Sequence, residues 1–239
     1  LMIYYNDLVI ALFGWHGDFV CGGCIFMQHD FRYVDKNTVK VLKKEVIKLI
    51  NEVQDEVRDC FTFRYDFVGS CCRNMVTYDA KGNTGFDFDV NIQVNDDDEQ
   101  YSAKEIKQIL MRGFSQICRR YGYSYPEDST RVLTIKVKDK QNSRILHSCD
   151  FAIVYDCDDG RQQYIRFNKK QNCYEWVYQG KGFIDLPNRI DWLKRNNLWS
   201  ELKEYYIEKK NNNTDSNKHS RSIFAESVNE MCNWNGYFG

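Results

Sequence analysis

Two carboxylates two residues apart, Asp87 and Asp89, constrain this chain more than any other feature of its sequence. Their segment, FDFDVNIQV, alternates apolar and polar side chains as a half-buried strand does. Side chains at positions i and i+2 of a strand share one face, so both carboxylates point away from Phe86, Phe88 and Val90. Clustered carboxylates repel each other unless a cation separates them, and such oxygen ligands suit magnesium or manganese. We therefore expect a metal-binding edge on a sheet.

A Gly-Ser pair follows the apolar segment 61–68, which we predict as a strand preceding the acidic one. Gly69 allows backbone amides to approach an anion closely, and the hydroxyl group of Ser70 can donate to a phosphate oxygen. Arg73 follows within one or two helical turns and is a further candidate phosphate contact. A phosphate site beside a metal site predicts a triphosphate ligand.

A third carboxylate, Asp150, stands in the middle of the segment ILHSCDFAIVY, which we predict as a strand of buried-type residues. An unpaired buried charge costs several kcal/mol, so Asp150 needs a partner. A metal ion shared with Asp87 and Asp89 is one partner. The alternative is an Asp that a neighbouring backbone group or an arginine satisfies.

Composition describes a globular chain with a sizeable core: of 239 residues, 43% are hydrophobic and 15% aromatic. A net charge of −1 gives no overall attraction to nucleic acid. Ten irregularly spaced cysteines without a signal peptide favour reduced thiols and a cytoplasmic location. For the CxxC pair Cys21 and Cys24, thiols in a turn are favoured over zinc, because no second ligand pair accompanies them. The apolar segment 8–15 is too short to span a membrane.

Apolar residues at helical spacing predict helices at 37–58 and 102–121, the second opened by a capping box of Ser102 and Glu105. Alternation predicts strands at 130–137 and 145–155, and a further strand pair at 162–167 and 173–178. Helical spacing returns at 188–198, 200–210 and 222–233.

The order strand, Gly-Ser, strand with Asp-x-Asp, helix, strand, strand with Asp resembles the nucleotidyltransferase superfamily. That superfamily includes polymerase β, aminoglycoside nucleotidyltransferases, oligoadenylate synthetases and cyclic GMP-AMP synthase-like bacterial enzymes. The resemblance covers residues 37–156 and is specific as a constellation, although each part alone is common. The 16 residues between Ser70 and Asp87 exceed the interval in the smallest members and bring the chain nearer to the synthetase-like branch.

The resemblance implies an α+β fold: a mixed, mainly antiparallel nucleotidyltransferase sheet with flanking helices and a helical C-terminal lobe. We expect an N-terminal extension (1–36) packed on the core, a catalytic domain (37–186) and a helical lobe (187–239). It also implies that Gly69 and Ser70 hold the terminal phosphates, and that Asp87, Asp89 and Asp150 bind two magnesium ions, or manganese. Lys218 or Arg221 from the C-terminal lobe would then contact the triphosphate.

The implied function is metal-dependent transfer of a nucleoside monophosphate from a nucleoside triphosphate to an acceptor hydroxyl, with release of pyrophosphate. The alternative is a catalytically inactive nucleotidyltransferase fold that serves as a binding or regulatory module.

The acceptor is constrained only by a basic run on the two strands that lead to Asp150. Its members are Arg131, Lys136, Lys138, Lys140 and Arg144. The solvated edge of a hairpin is favoured over a phosphate-binding track. Few aromatic residues interleave with this run to stack on bases, so a small molecule or a second nucleotide is favoured over long nucleic acid as the acceptor.

Overall fold

The computed structural model describes residues 29–96, 99–180 and 185–237, together with the backbone of residues 4–5 and 8–9. Two short strands, β1 (Tyr4–Tyr5) and β2 (Leu8–Val9), pair antiparallel near the N-terminus. The pair Cys21 and Cys24 and most of the predicted N-terminal extension lie outside the described residues. Within the described residues, no helix is both long and apolar enough to cross a membrane.

A seven-stranded sheet forms the centre of the molecule, and a two-stranded sheet lies beside it. The remaining strands are β3 (Phe31–Tyr33), β4 (Thr62–Val68), β5 (Thr77–Asp79), β6 (Thr84–Asn95), β7 (Glu127–Asp128), β8 (Leu133–Asp139), β9 (Arg144–Asp156), β10 (Gln162–Asn168) and β11 (Cys173–Tyr178). The main sheet runs β11, β10, β9, β6, β4, with β8 also paired to β9 and β7 paired to β8. Only the β6–β9 pair is parallel among its described pairs, which confirms the mixed, mainly antiparallel sheet.

Two long helices, α1 (Lys36–Val57) and α2 (Ala103–Ile117), back one face of this sheet. The α1 helix begins where the Asp35 carboxylate accepts a hydrogen bond from the Thr38 amide, and α2 begins with the predicted capping box. A 3-10 turn (Cys118–Tyr121) extends α2 to the predicted end of the helical segment. Phe114 of α2 packs against Phe151 of β9, with ring centroids 4.4 Å apart, so this face carries the main hydrophobic core.

Three C-terminal helices form the predicted lobe: α3 (Leu186–Arg195), α4 (Trp199–Asn211) and α5 (Ser220–Trp234). They enclose a second hydrophobic cluster that includes Leu193, Leu202 and Val228. Met75, which follows the Gly-Ser turn in the sequence, is buried in this second cluster. The turn is therefore attached to the lobe as well as to the sheet.

Two of the differences from the sequence-based prediction concern strands near the site. The strand predicted at 130–137 begins at Leu133, because Ser129 and Val132 hold the preceding residues in a turn through mutual hydrogen bonds. Strand β5, which pairs with β3, was not predicted, because three residues are too few to show alternation.

Burial alternates along β6 and β9 and assigns the carboxylates to one face. Phe88 of β6 and Phe151 of β9 are fully buried against the helices. Asp87, Asp89 and Asp150 point to the opposite face, which forms the floor of a cleft beneath the C-terminal lobe. The predicted facing of the Asp-x-Asp pair is thus confirmed.

Candidate active site

The parallel pairing of β6 with β9 brings the three carboxylates together. Asp89 and Asp150 are direct partners across the two strands, and Asp87 lies beside Ser148. Neighbouring strands are about 4.8 Å apart, so the three side chains share one small region. Both strands are interior, which corrects the expectation of a metal-binding edge: the cluster lies on the cleft face of the sheet.

The positive charges near the three carboxylates do not offset the rise in pKa that burial causes. Burial, followed by the charges of Asp87 and Asp150, raises the pKa of Asp89 to about 6. Desolvation and the Asp150 charge also raise the pKa of Asp87, although its side chain remains exposed to the cleft; Lys210 opposes this. Burial raises the pKa of Asp150, and a 2.6 Å hydrogen bond from the Thr134 hydroxyl opposes that rise. A hydroxyl group thus partly satisfies Asp150, where the sequence offered a neighbouring backbone group or an arginine as the alternative to a shared metal ion.

These three carboxylates suit a hard divalent cation. A cation bound between them would offset the repulsion among their oxygen atoms. Across the described residues, no group of three or more His, Cys, Asp or Glu side chains is already arranged to hold a metal ion. The chemistry of Asp87, Asp89 and Asp150 therefore fits magnesium or manganese, but the carboxylates would have to converge further to enclose it.

The Gly-Ser turn lies directly against the carboxylates. Val68, the last residue of β4, pairs with Asp89, so the turn begins beside that side chain. Gly69 has φ +68°, and a Cβ atom there would lie 2.4 Å from Asp89 Oδ2. The hydroxyl of Ser70 makes no capping bond to the short 3-10 helix that follows (Cys71–Arg73). A side chain at position 69 would therefore be strained and crowded, and Ser70 lines the cleft without capping the short helix.

Arg73 presents a cation with unused hydrogen-bonding capacity. Its Nε atom is buried and has no hydrogen-bond partner in the described part of the chain. Its guanidinium carbon lies 4.4 Å from the ring centroid of Phe224 on α5. Burial lowers the pKa of Arg73, and Tyr206 and Asp89 are among the groups that oppose this. A buried donor of this kind is stabilised by an anionic ligand.

Lys210 is a site residue that the sequence analysis missed. Its side chain is 7% exposed, and Nζ donates a 2.6 Å hydrogen bond to Thr77 Oγ1. Burial lowers the pKa of Lys210 to about 8, and the charge of Asp87 opposes that shift. The sequence did contain an indication of this position, because Lys210 continues the apolar stripe of Leu202 and Tyr206 at four-residue spacing. A lysine on the buried face of a helix is unusual enough to mark a functional position.

All six residues predicted from the sequence line one cavity of about 540 Å³, together with Lys210 and Arg221. Lys218 does not line it and instead forms an ion pair with Glu226, at 2.6 Å. A larger hollow of about 730 Å³ lies beside α2 and β11. This hollow lacks the carboxylate cluster. Its Asp128 forms an ion pair with Lys107 and accepts a hydrogen bond from the Tyr174 hydroxyl. The smaller cavity is therefore the candidate active site.

Comparisons with known proteins support the fold. Neither a protein-family model nor a curated protein matches the chain. Among solved structures, the GTP-bound form of Vibrio cholerae DncV matches 82% of this chain and 52% of its own, with 16% identity and a TM-score of 0.51. The DncV cyclic AMP-GMP synthase in complex with a linear intermediate, pppA(3′,5′)pG, matches 80% and 54%, with 15% identity and a TM-score of 0.51.

A third structure, the GTP complex of the CD-NTase CdnG from Bradyrhizobium diazoefficiens, covers 74% of this chain and 43% of its own, with 8% identity and a TM-score of 0.44. This score is too low to add to the comparison. The chain thus spans about half the length of the DncV structures that it matches. It has the nucleotidyltransferase fold that these synthases share.

Proposed function

We propose that this protein is a metal-dependent nucleotidyltransferase that moves a nucleoside monophosphate from a nucleoside triphosphate to an acceptor hydroxyl and releases pyrophosphate. The observation that carries this proposal is the meeting of three carboxylates, a Gly-Ser turn, the buried Lys210, the half-buried Arg73 and the exposed Arg221 on one cavity. An inert scaffold gains nothing from carboxylates whose burial and mutual repulsion raise their pKa values. The solved DncV structures, one bound to GTP and one in complex with a linear dinucleotide intermediate, agree with this class of substrate.

Within this proposal, the Gly-Ser turn and the basic residues contact the phosphates of the triphosphate. The Gly69 turn and the Ser70 hydroxyl receive the terminal phosphates, and Arg73 and Lys210 neutralise them from the turn and from α4. Such fixed donors lower the barrier because they stabilise charge that develops on the leaving pyrophosphate. Arg221 lines the same cavity and is the stronger of the two lobe candidates, since Lys218 is occupied by Glu226.

Asp87, Asp89 and Asp150 would hold the divalent cations. Magnesium or manganese bound there would lower the pKa of the attacking hydroxyl and neutralise the leaving group. In this protein, the Thr134 hydroxyl orients Asp150, and the Gly69 turn holds Asp89 against the phosphate position.

A small acceptor, or a second nucleotide, remains our preferred acceptor over long nucleic acid. Three members of the basic run already have acidic partners: Lys136 and Lys138 pair with Glu127, and Arg144 pairs with Asp139. Arg131 lies over the ring of Tyr164 at 5.4 Å. These contacts favour the solvated hairpin edge over a free phosphate-binding track.

Pyrophosphate release provides the test. The protein is incubated with each nucleoside triphosphate and with mixtures of all four, with magnesium, with manganese and with EDTA. We expect metal-dependent release that Asp87→Asn abolishes. Asp191→Asn removes an exposed carboxylate of α3 that does not line the cavity, so it should retain full activity. Full release by Asp87→Asn would contradict the mechanism.

Thermal denaturation distinguishes the proposed enzyme from a catalytically inactive module that only binds nucleotide. A nucleotide that binds only the folded protein stabilises it by RT ln(1 + [L]/Kd), about 2.7 kcal/mol at 100-fold excess over Kd. Stabilisation by nucleotide without any pyrophosphate release would favour the binding module. No stabilisation by any nucleotide, with or without metal, would contradict nucleotide binding altogether.

A further inference from the structure

Lys210, the buried cation of the helical lobe, lies in the last turn of its helix, where a helix is held loosely. Helix α4 ends at Asn211, and the polar segment 212–219 follows it. The last carbonyl groups of a helix have no partners within the helix, and helix ends fray readily. A lysine side chain also has many rotamers to lose when it is fixed. A contact from outside α4 is therefore needed to keep the ammonium group at its place in the cavity.

Strand β3 runs beside α4 and touches it at two levels. In the first half of the helix, the Tyr33 hydroxyl donates a 2.8 Å hydrogen bond to the Lys203 carbonyl, and Lys203 Nζ lies 4.8 Å from the ring centroid of Tyr33. About two turns further along the helix, Lys210 Nζ lies over the ring of Phe31, two residues earlier in β3. The strand thus contacts the body of α4 and, separately, its end.

The side chain of Asn211 makes the second contact through the backbone of β3. In an antiparallel pair, the backbone groups of successive residues point alternately toward the partner strand and away from it. The Asp30 carbonyl accepts from the Ala80 amide beside β5, so the amide and carbonyl of Phe31 point away from β5. Asn211 Oδ1 accepts from the Phe31 amide at 2.6 Å, and Asn211 Nδ2 donates to the Phe31 carbonyl at 3.3 Å. The side chain of Asn211 occupies the place of a neighbouring strand.

This pair of hydrogen bonds requires the residue type found at position 211. A carboxamide presents an acceptor and a donor side by side, whereas a carboxylate presents acceptors alone and an alkyl group presents neither. An aspartate at position 211 would keep the bond to the Phe31 amide and place an oxygen against the Phe31 carbonyl. A leucine of similar size would remove both bonds and release the end of α4 from the strand.

The contact fixes Lys210 because both neighbours of its ammonium group belong to the two-stranded sheet. Nζ lies 3.9 Å from the ring centroid of Phe31 on β3 and donates a 2.6 Å hydrogen bond to Thr77 Oγ1 on β5. Thr77 and Lys210 both line the cavity that contains the carboxylates. A shift of the end of α4 relative to this sheet would therefore move the ammonium group out of its place in the cavity.

We propose that Asn211 is a positioning residue for the triphosphate: by binding the outer edge of β3, it fixes Lys210 at the phosphate end of the cavity. This inference rests on the proposed function. Asn211 does not line the cavity, so it acts through Lys210. It strengthens the binding of ligands that carry the terminal phosphates and has no effect on ligands that lack them.

The test compares ligands that differ in the number of phosphates. Inorganic triphosphate and the four nucleoside monophosphates, each with magnesium, are titrated calorimetrically into wild-type protein and Asn211→Leu. The variant should bind inorganic triphosphate about 10-fold more weakly, the scale of one to two net hydrogen bonds, and its affinity for monophosphates should stay unchanged. In the pyrophosphate-release assay, KM for the nucleoside triphosphate should rise more than kcat falls.

The pH dependence of triphosphate binding separates positioning from a general loss of structure. Burial lowers the pKa of Lys210 to about 8, so affinity should fall as pH rises through this value. Asp87 of β6 and Asp79 of β5 oppose this shift, and the ring centroid of Tyr206 on α4 is 5.8 Å from Nζ. In Asn211→Leu the ammonium group gains access to water, so the midpoint should move upward, toward the ordinary lysine value of 10.5. Destabilisation alone would lower the folded fraction without moving the midpoint.

Two matched variants serve as controls. Asn212→Leu changes the adjacent, exposed asparagine, and Tyr33→Phe removes the other hydrogen bond between β3 and α4. Both should keep the affinity for inorganic triphosphate and the midpoint of its pH dependence. If Asn211→Leu fails to fold, Asn211→Asp provides the measurement, because it keeps the acceptor for the Phe31 amide and should show a smaller loss in the same direction.

The outcomes separate this inference from the proposed function. If wild-type protein releases no pyrophosphate with any triphosphate, the proposed function fails and this inference fails with it. If wild-type protein is active but does not bind inorganic triphosphate, or if the Asn211 variants keep both affinity and midpoint, the inference is overturned while the proposed function stands. An equal loss for monophosphates, or an equal loss in either control variant, would also overturn it.

Discussion

The ammonium group of Lys210 lies 3.9 Å from the ring centroid of Phe31, a residue far away in the sequence. The next residue, Asn211, fixes this contact: its Oδ1 accepts from the Phe31 amide at 2.6 Å, and its Nδ2 donates to the Phe31 carbonyl at 3.3 Å. Strand β3 thereby holds the end of α4 and aims Lys210 into the cleft. The ring also offers the ammonium group a favourable cation–π contact in a place where water is excluded.

Nucleotide binding should weaken as pH rises through about 8, the pKa to which burial lowers that of Lys210. The charged form binds phosphate, so affinity is present below this pH and is lost above it. Lys210→Met should bind more weakly at pH 7 and lose the pH dependence between pH 7 and 9, measured by calorimetric titration. Lys209→Met is the matched control, because Lys209 pairs with Glu226 and Glu230 and does not line the cavity.

The same shift has an opposite effect on the stability of the free protein. The pKa of Lys210 in the folded protein lies below the ordinary lysine value of 10.5, so the unfolded chain binds more protons between pH 8 and 10.5. The contribution of Lys210 to the free energy of unfolding therefore rises with pH across this window. An unchanged difference between wild-type protein and Lys210→Met from pH 7 to 10 would contradict the buried position of the ammonium group.

Gly69→Ala should abolish activity at a moderate cost in stability. Its positive φ costs a side chain about 1–2 kcal/mol, and the new Cβ would displace the Asp89 carboxylate from the turn. Gly122 also has positive φ, +79°, but a Cβ there meets nothing within 4 Å. Gly122→Ala should therefore lose a similar free energy of unfolding in urea and keep its pyrophosphate release. Equal activities of the two variants would refute the close approach of the turn to Asp89.

The contribution of Asp89 to the stability of the metal-free protein should grow as pH falls from 7 toward 4. The pKa of Asp89 is raised from 3.8 to about 6 in the folded state, so the folded protein binds more protons than the unfolded chain in this window. Stability from this group is thus lost as pH rises through 6. Asp89→Asn should flatten that part of the profile, and saturating magnesium should stabilise the wild-type protein mainly at pH 7. Thermal denaturation across this pH range, with and without magnesium, provides the measurement.

Thr134→Val should shift the acid limb of the pH–activity profile upward. The Thr134 hydroxyl donates to Asp150 Oδ1 at 2.6 Å and holds down the pKa of that carboxyl. Without it, Asp150 takes up a proton at higher pH, and we expect about 10-fold lower activity at pH 6 with a smaller loss at pH 8. Thr134→Ser keeps the hydroxyl and should restore the profile. A uniform loss at all pH values would instead indicate a packing defect.

The carboxylates and the Gly-Ser turn were predictable because each is recognised from residues that lie close together in the sequence. The facing of Asp87 and Asp89 follows from alternation, and Asp150 stood out as a charge inside an apolar strand. The capping box of Ser102 and Glu105 likewise marked the start of α2. Local rules therefore supplied most of the helices, the central strands and the acidic half of the site.

The basic half of the site depends on tertiary contacts that no local pattern reveals. Lys210 and Arg73 meet the carboxylates only because α4 and the turn share the second hydrophobic cluster around Met75. The hydrogen bonds that link Asp156, Gln162 and Gln179 require the β10–β11 hairpin to be aligned with the end of β9. Likewise, the partners of the basic run became visible only when β7 placed Glu127 beside β8.

The parallel pairing of β6 with β9 also determines when the site can appear during folding. Parallel neighbours cannot form a hairpin, so α2, β7 and β8 must be made and docked before Asp150 reaches Asp89. A nascent chain that ends at β8 already contains the Gly-Ser turn, Asp87 and Asp89, yet it lacks the third carboxylate. Closing this long crossover costs chain entropy before the central contacts form, so we expect the candidate site to arise late in folding.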